Sequence, residues 1–387
     1  MILCGGLGTR LGALTAQTPK PLLKVGDAPF LAILIQELTR YGVDRILLLA
    51  GFRAELIQTF ADEVASTLGR PVEIEVSVEP VQAGTGGALV HARGRLDETF
   101  YLCNGDSFLD MPLTGLARLL SDPAALAALA LRAVDNGSRY GVVELNGERI
   151  TRFGARGQSD SPAFINGGVY LMRRELVDRL AAVSSLEQDL FPRLAEEGSL
   201  RGRVVEGFFI DIGVPEDFAR AQTEIPAHRR RPALFLDLDV ILEAIPAAGE
   251  ASIAWKPGAA EAIAGANRMG WYVFLVSDPQ TPGLHQLWPR LLDGLAVHGA
   301  WMDDRFRGPA SFGEPEESPP GRFLTETVRE LTTRWPVDTE HSVLVAGPRL
   351  DTEDLGTTGP KRLNAQGRDL NEFFRDALRN GAGATTN

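Results

Sequence analysis

The first residues with chemical promise are Gly5, Gly6, Gly8, Thr9 and Arg10, which follow the apolar run Ile2–Cys4. Glycines after a strand let backbone N–H groups turn toward a phosphate, and an arginine adds a fixed cation. The run has neither the Walker lysine nor the spacing of a dinucleotide fingerprint. Lys20 stands between Pro19 and Pro21, so its backbone is restricted and its ammonium can be aimed. Glu79 precedes Gly84-Thr85-Gly86-Gly87, where glycines at a helix start let a flat base lie on the backbone. Asp106, in Asn104-Gly105-Asp106-Ser107, and Asp211, in Phe209-Ile210-Asp211, each close an apolar strand. Carboxylates so placed suit Mg²⁺, which takes one or two of them together with substrate phosphates. Asn166 lies beside two glycines, and Ser185-Leu186-Glu187-Gln188-Asp189 opens a helix.

The elements that must carry these residues alternate. Strands are expected at Ile46–Ala50, Val72–Val78, Phe100–Cys103, Leu126–Arg132 and Gly168–Met172, and helices at Phe30–Tyr41, Ala54–Leu68 and Leu113–Leu120. Such alternation implies α/β architecture with a parallel-type sheet under helices. The polar, basic run Pro226–Pro232 reads as a solvated linker. This gives a first domain over residues 1–225, a linker over 226–232, a smaller α/β domain over 233–380 and a frayed tail over 381–387. The smaller domain has strands at Ala233–Leu236, Trp271–Val276 and Ser342–Ala346.

The 387 residues are 44% hydrophobic and 23% charged, with a net charge of −12. That balance gives no general pull toward nucleic acid or anionic lipid. Cys4 and Cys103 are the only cysteines, which excludes a disulfide framework and a cysteine-rich zinc site and fits a reducing, cytoplasmic location. No apolar run is long enough to span a bilayer, and the N-terminus does not read as a signal peptide. Met1 opens directly on a strand, so a few more strand residues are expected upstream.

Taken in order, these motifs resemble the sugar-1-phosphate nucleotidyltransferases. The resemblance covers residues 1–225 and is carried by Gly5–Leu11, Thr18–Pro21 and Asn104–Ser107. Arg139–Glu144, Ile165–Gly168, the Ser-x-Glu-x-Asp segment at 185 and Gly207–Asp217 are similar to the D-glycero-D-manno-heptose 1-phosphate guanylyltransferase branch. It implies a Rossmann-like, GT-A-like mixed sheet with helices on both faces. It also implies that a nucleoside triphosphate and a sugar 1-phosphate give an NDP-sugar and pyrophosphate. Under it, Gly5, Gly6, Gly8, Thr9 and Arg10 cradle the nucleotide phosphates and Lys20 stabilises the transferred phosphoryl group. Glu79 and Gly84 face the base, Thr85 binds the nucleotide, Asp106 and Asp211 hold Mg²⁺, and Gly141, Asn166 and Glu187 meet the sugar phosphate. Arg156, in Phe153-Gly154-Ala155-Arg156, stands where relatives carry a lysine, and Ala155 removes an acid found there. Mannose 1-phosphate guanylyl transfer, uridylyl or thymidylyl transfer, and a non-catalytic sugar-nucleotide sensor stay open, as does homo-oligomer formation.

In the second domain, Leu234–Asp239 resembles the Asp-x-Asp start of haloacid-dehalogenase-type phosphatases, with Asp237, Asp239 and Ser277 as the corresponding site. Val240 and Ile241 replace the usual Gly-Thr, a motif lysine is missing near Glu317–Gly321, and Pro348 occupies the position of a metal-binding acid. A catalytically degenerate domain is expected, and an active phosphatase is the alternative.

Overall fold

The computed structural model describes residues 1–68, 72–138, 141–156, 161–246, 253–276, 284–305, 320–347, 359–363, 370, 372 and 376. The chain divides into two compact units, Met1–Ile225 and Pro226–Asn387.

The first unit is built on a nine-stranded sheet. Across it run Glu73–Val78, Arg45–Ala50, Ile2–Leu3, Thr99–Asn104, Ala163–Arg173, Ala127–Val134, Leu200–Val204, Arg149–Arg156 and Gly141–Asn146. The first four are mutually parallel. Beyond them Ala163–Arg173 is antiparallel to both its neighbours, and Gly141–Asn146 is antiparallel to Arg149–Arg156. The sheet is therefore mixed, as the resemblance implies, and not parallel-type as the alternation by itself suggests. The physical reason is connection length: Asn146 and Arg149 are joined by two residues, enough for a hairpin but far too few for a crossover helix.

Side chains alternate between the two faces. Ile46, Leu48 and Ala50 pack into one core with Phe30, Ile33 and Leu34 of the helix Phe30–Arg40 and Ile57 and Ala61 of the helix Ala54–Thr67. Leu47 and Leu49 point into a second core with Leu89, Leu176, Phe191 and Leu194. Both faces are thus covered, as period-2 strands between amphipathic helices require. The first of these helices ends at Tyr41 with Gly42 behind it at φ 83°, a left-handed stop that glycine adopts without strain.

The expected linker is not a separate element. A helix runs from Pro215 to Arg229 with Pro226 inside it. Ala221 and Ile225 on this helix are fully buried in the first unit's core. Burying a side chain such as that of Ile225 contributes about 1.5–3 kcal/mol, which offsets a local breaker.

The second unit holds a five-stranded sheet in the order Asp304–Arg305, Tyr272–Leu275, Ala233–Leu236, Val343–Val345 and Lys361–Leu363, parallel throughout. Leu234 and Leu236 face one core, and Ala233 and Phe235 the other. Val240 and Ile241 turn into the apolar interior. Among the described residues no helix is long and apolar enough to cross a membrane. Cys4 and Cys103 are free and buried.

Candidate functional site

The site of the first unit forms where the parallel strands end. Ile2–Leu3 lies between Arg45–Ala50 and Thr99–Asn104, so the loop after it and the loop after Asn104 emerge side by side. Gly105 makes the closeness possible. Its N–H donates to the Leu3 carbonyl at 3.0 Å, and a Cβ at Gly105 would lie 2.3 Å from that oxygen. The glycine loop is pinned from behind. Gly8 adopts φ 64°, the Thr15 hydroxyl donates to its carbonyl at 2.9 Å, and a Cβ there would meet the Thr15 methyl at 2.9 Å. Gly6 and Thr9 are exposed on this loop.

Lys20 begins a single 3₁₀ turn after Pro19 and is only 8% exposed. Its ammonium forms an ion pair with Asp106. Asp211 ends the short strand Phe209–Asp211, which pairs antiparallel with Ser107–Leu109 and sets Asp211 opposite Ser107. The N–H of Ile212 donates to the Asp106 carbonyl at 2.9 Å. Two acids 105 positions apart in sequence are thereby held at the same end of two paired strands. Burial, then the charge of Asp106, pushes the Asp211 carboxyl up to about 6, against the opposing pull of Lys20, the Gly213 N–H and Arg10. A partly buried pair of carboxylates, one of them raised in part by the charge of the other, is a donor set that a dication relieves, and it fits Mg²⁺. The exposed Arg10 reaches Gly213, where a Cβ would lie 3.1 Å from its Nη2.

A cleft of about 210 Å³ brings together Gly6, Gly8, Lys20, Asp106, Thr85 and Glu187. Its far wall is the segment after Ser185. Ser185 and Asp189 cap one another: the Ser185 hydroxyl accepts from the Gln188 N–H at 3.2 Å, and the Asp189 carboxylate from the Ser185 N–H at 2.7 Å. The turn between them, Leu186–Leu190, is a widened π-turn, and Glu187 on it lines the cleft. Two acids of one motif thus do different work. Asn166 reaches the same wall, its Nδ2 donating to Glu187 Oε1 at 2.9 Å.

The glycines at 84–87 serve packing on the side where a side chain would stand. Gly84, at φ 75°, and Gly86 face the backbone and hydroxyl of Ser184, with a Cβ at Gly84 2.5 Å from the Ser184 carbonyl. A Cβ at Gly87 would lie 2.4 Å from the Ala182 carbonyl. Those faces of the helix Gly84–His91 are therefore filled by the 182–184 backbone. The Thr85 hydroxyl accepts from the Leu186 N–H at 2.9 Å. Glu79 leans between the first and second loops: its Oε2 accepts from the Ala83 N–H at 3.3 Å, and its Oε1 lies 3.0 Å from where a Cβ of Gly5 would be. Burial raises its carboxyl above the ordinary range, and the Ala83 N–H opposes that. Gly141 stands in the sheet, where a Cβ would come within 2.9 Å of the Gly154 carbonyl.

Arg156 is the last residue of its strand, but its side chain lies outside the described residues, as do Arg139, Tyr140, Glu317, Pro348 and residues 381–387. One cleft residue escapes a motif-based reading: Tyr170 sits inside a run that reads as core. Asn104, which opens the motif Asn104–Ser107, lines the cleft as well.

In the second unit, Asp237 follows the central strand and is 4% exposed. Its Oδ2 accepts from the Gly347 N–H at 3.2 Å, and a Cβ at Gly347 would sit 2.6 Å from the Asp239 Cβ. Burial, then Asp239, raises Asp237 to about 6. The Lys256 ammonium donates to the Asp239 backbone carbonyl. Ser277 lies outside the described residues.

The family described as nucleotidyl transferase matches residues 1–228. The chain is 33% identical over 224 residues to the mannose-1-phosphate guanylyltransferase catalytic subunit beta of Xenopus tropicalis, covering 56% of this chain and 62% of that protein. The same figures hold for the corresponding subunit of Dictyostelium discoideum, so the chain spans 62% of the length of these relatives. Among solved structures, HddC from Yersinia pseudotuberculosis matches at 27% identity with a TM-score of 0.51, covering 58% of this chain and 97% of that one. The same protein complexed with GMP-PN matches at 28% identity and a TM-score of 0.51.

Proposed function

The chain belongs to the nucleotidyl transferase family, and from that premise we propose that it transfers GMP from GTP to a sugar 1-phosphate of manno configuration and releases pyrophosphate. D-glycero-D-manno-heptose 1-phosphate is the first candidate acceptor, on the strength of the branch motifs. Mannose 1-phosphate is the second, favoured by the names of the curated relatives. The two share a ring and differ in the exocyclic carbons. The observation that carries the reading is the convergence of Lys20, Asp106 and the glycine loop on one cleft, with Asp211 tied to Asp106 across two paired strands.

In the proposed reaction a phosphate oxygen of the sugar 1-phosphate attacks the α-phosphorus in line. A new P–O bond forms, the bond to the β-phosphate oxygen breaks, and pyrophosphate departs with its electron pair. Such transfer is mostly positioning and charge neutralisation. The amides of Gly5, Gly6, Gly8 and Thr9 and the guanidinium of Arg10 hold the departing phosphates. Lys20 offsets charge on the transferred phosphoryl group. Asp106 and Asp211 would hold Mg²⁺, which supplies further neutralisation of the phosphates. Glu79 is assigned to guanine, whose N1–H and exocyclic amine form a donor pair that a carboxylate accepts in bidentate fashion. Glu187 is assigned to the sugar, with Arg156 as the cation for its phosphate.

The second unit is proposed to be a haloacid-dehalogenase-like domain without phosphatase activity. Pyrophosphate release is measured for GTP, UTP and dTTP against heptose, mannose and glucose 1-phosphates. GTP with a manno sugar is expected to lead. Leadership by UTP or dTTP removes the base assignment, and absence of release from every pair removes the transferase reading.

A further inference from the structure

We propose that Tyr170 is a positioning residue for sugar recognition, acting through Asn166 to fix the carboxylate of Glu187. The inference rests on the reading of Glu187 as the group that faces the sugar. Asn166 has little left to offer a ligand as a donor. Its Nδ2 gives one hydrogen to the Tyr170 hydroxyl at 2.8 Å and one to Glu187 Oε1 at 2.9 Å. Its Oδ1 accepts from the Gly168 N–H at 3.1 Å. Because the Tyr170 oxygen accepts from Asn166, its own proton goes to Asn104 Oδ1, 3.3 Å away. The direction of every bond in the string is thus set: Asn166 to Glu187 on one side, and Asn166 to Tyr170 to Asn104 on the other.

The chain spends local regularity to build this string. The register of Ala163–Arg173 against Ala127–Val134 shifts between Asn166 and Tyr170. Within that shift Gly168 takes φ 77° and stands against Asn104, where a Cβ would lie 3.0 Å from Nδ2. Bulges re-aim side chains, and this one turns Asn166 toward the wall that carries Glu187. Tyr170 is 2% exposed and packs on Phe191 with ring centroids 5.4 Å apart. Packing alone would be met by phenylalanine, so the hydroxyl is the part that needs another explanation. Asn104 lies two residues before Asp106, so the string ties the sugar side of the cleft to the strand that presents the catalytic acid.

Tyr170→Phe keeps the ring and removes the string. The full chain is assayed with GTP and whichever sugar 1-phosphate releases pyrophosphate fastest. The KM for the sugar 1-phosphate should rise about tenfold, while kcat and the KM for GTP stay within about twofold. In a Glu187→Gln background, adding Tyr170→Phe should raise that KM no further, since Tyr170 acts only through Glu187. An unmoved KM in Tyr170→Phe, additive losses in the double variant, or a fall in kcat with KM unchanged overturns the inference while leaving the transferase reading intact. A wild-type chain that releases no pyrophosphate overturns both.

Discussion

At the scale of single residues, the cleft is a problem of charge. Asp106 pairs with Lys20 and faces the like charge of Asp211, and removing its charge takes the ion-pair partner from a buried ammonium and leaves a metal site with one acid. Asp106→Asn is expected to lower pyrophosphate release by about 10²–10³-fold, the scale for losing one preorganised charge-stabilising group. Circular dichroism should stay unchanged, and excess EDTA should stop the wild type. Undiminished turnover under either condition would remove the metal assignment. Glu79 is held by the Ala83 N–H and crowds Gly5 and Gly51, so its carboxylate has a fixed direction. Glu79→Gln should weaken use of GTP by ~1–3 kcal/mol in kcat/KM, the cost of leaving a donor unsatisfied. Its effect on UTP should be smaller, and equal losses for both bases would contradict a guanine contact.

At the scale of elements, two positions follow directly on sheet strands. Gly105 lets two neighbouring strands deliver their loops to one place, and its Cβ direction is blocked by backbone rather than by a flexible side chain. Gly105→Ala is therefore expected to cost about 1–3 kcal/mol of stability and to lower turnover as Asp106 shifts. Thermal denaturation would show the first and pyrophosphate release the second. A Tm within about 1 °C of wild type would mean that the strands separate more easily than the contact suggests. Asp237 closes the central strand of the second unit, and its carboxyl is raised from 3.8 to about 6 by burial and then by Asp239. The contribution of its neutral form to stability is fully present below 3.8 and is lost as pH rises through about 6. Asp237→Asn should therefore stabilise the chain at pH 8 by about 1–3 kcal/mol, with the gain gone near pH 4. Equal Tm shifts at both pH values would exclude the titration of Asp237 as the cause.

At the scale of the whole molecule, the two units have separate cores, and chemistry can be asked of each. In the second, Asp237 and Asp239 are present but the Lys256 ammonium is engaged by a backbone carbonyl. A carboxylate nucleophile needs cations to approach a phosphate dianion. The full chain is therefore expected to release pyrophosphate without hydrolysing heptose bisphosphate or p-nitrophenyl phosphate. Mg²⁺-dependent hydrolysis that disappears in Asp237→Asn would make the chain bifunctional. The net charge of −12 belongs to this scale too. It leaves recognition of anionic substrates to local groups such as Lys20, Arg10 and the loop amides, because no global field assists.

Much of this was determined by the sequence alone. The apolar periods mark the strands Arg45–Ala50 and Thr99–Asn104 and the helices Phe30–Arg40 and Ala54–Thr67 to within a residue or so, because local burial patterns do not depend on what the elements pack against. The glycine loop, Lys20, Asp106 and Glu187 are legible for a similar reason: their motifs are short and contiguous. Tertiary structure decided what depends on neighbours distant in sequence. Buried Ala221 and Ile225 carried a helix through Pro226, where the local signal read linker. Pairing between strands distant in sequence set Ala163–Arg173 antiparallel to both its neighbours. The 182–184 backbone claimed one face of the glycines at 84–87. Asn104 and Tyr170 joined the cleft through a hydrogen bond across 66 positions, and Lys256 reached Asp239 across 17. A residue type reveals what chemistry a side chain can do, but its partners are fixed only when strand register and loop packing bring distant backbone together.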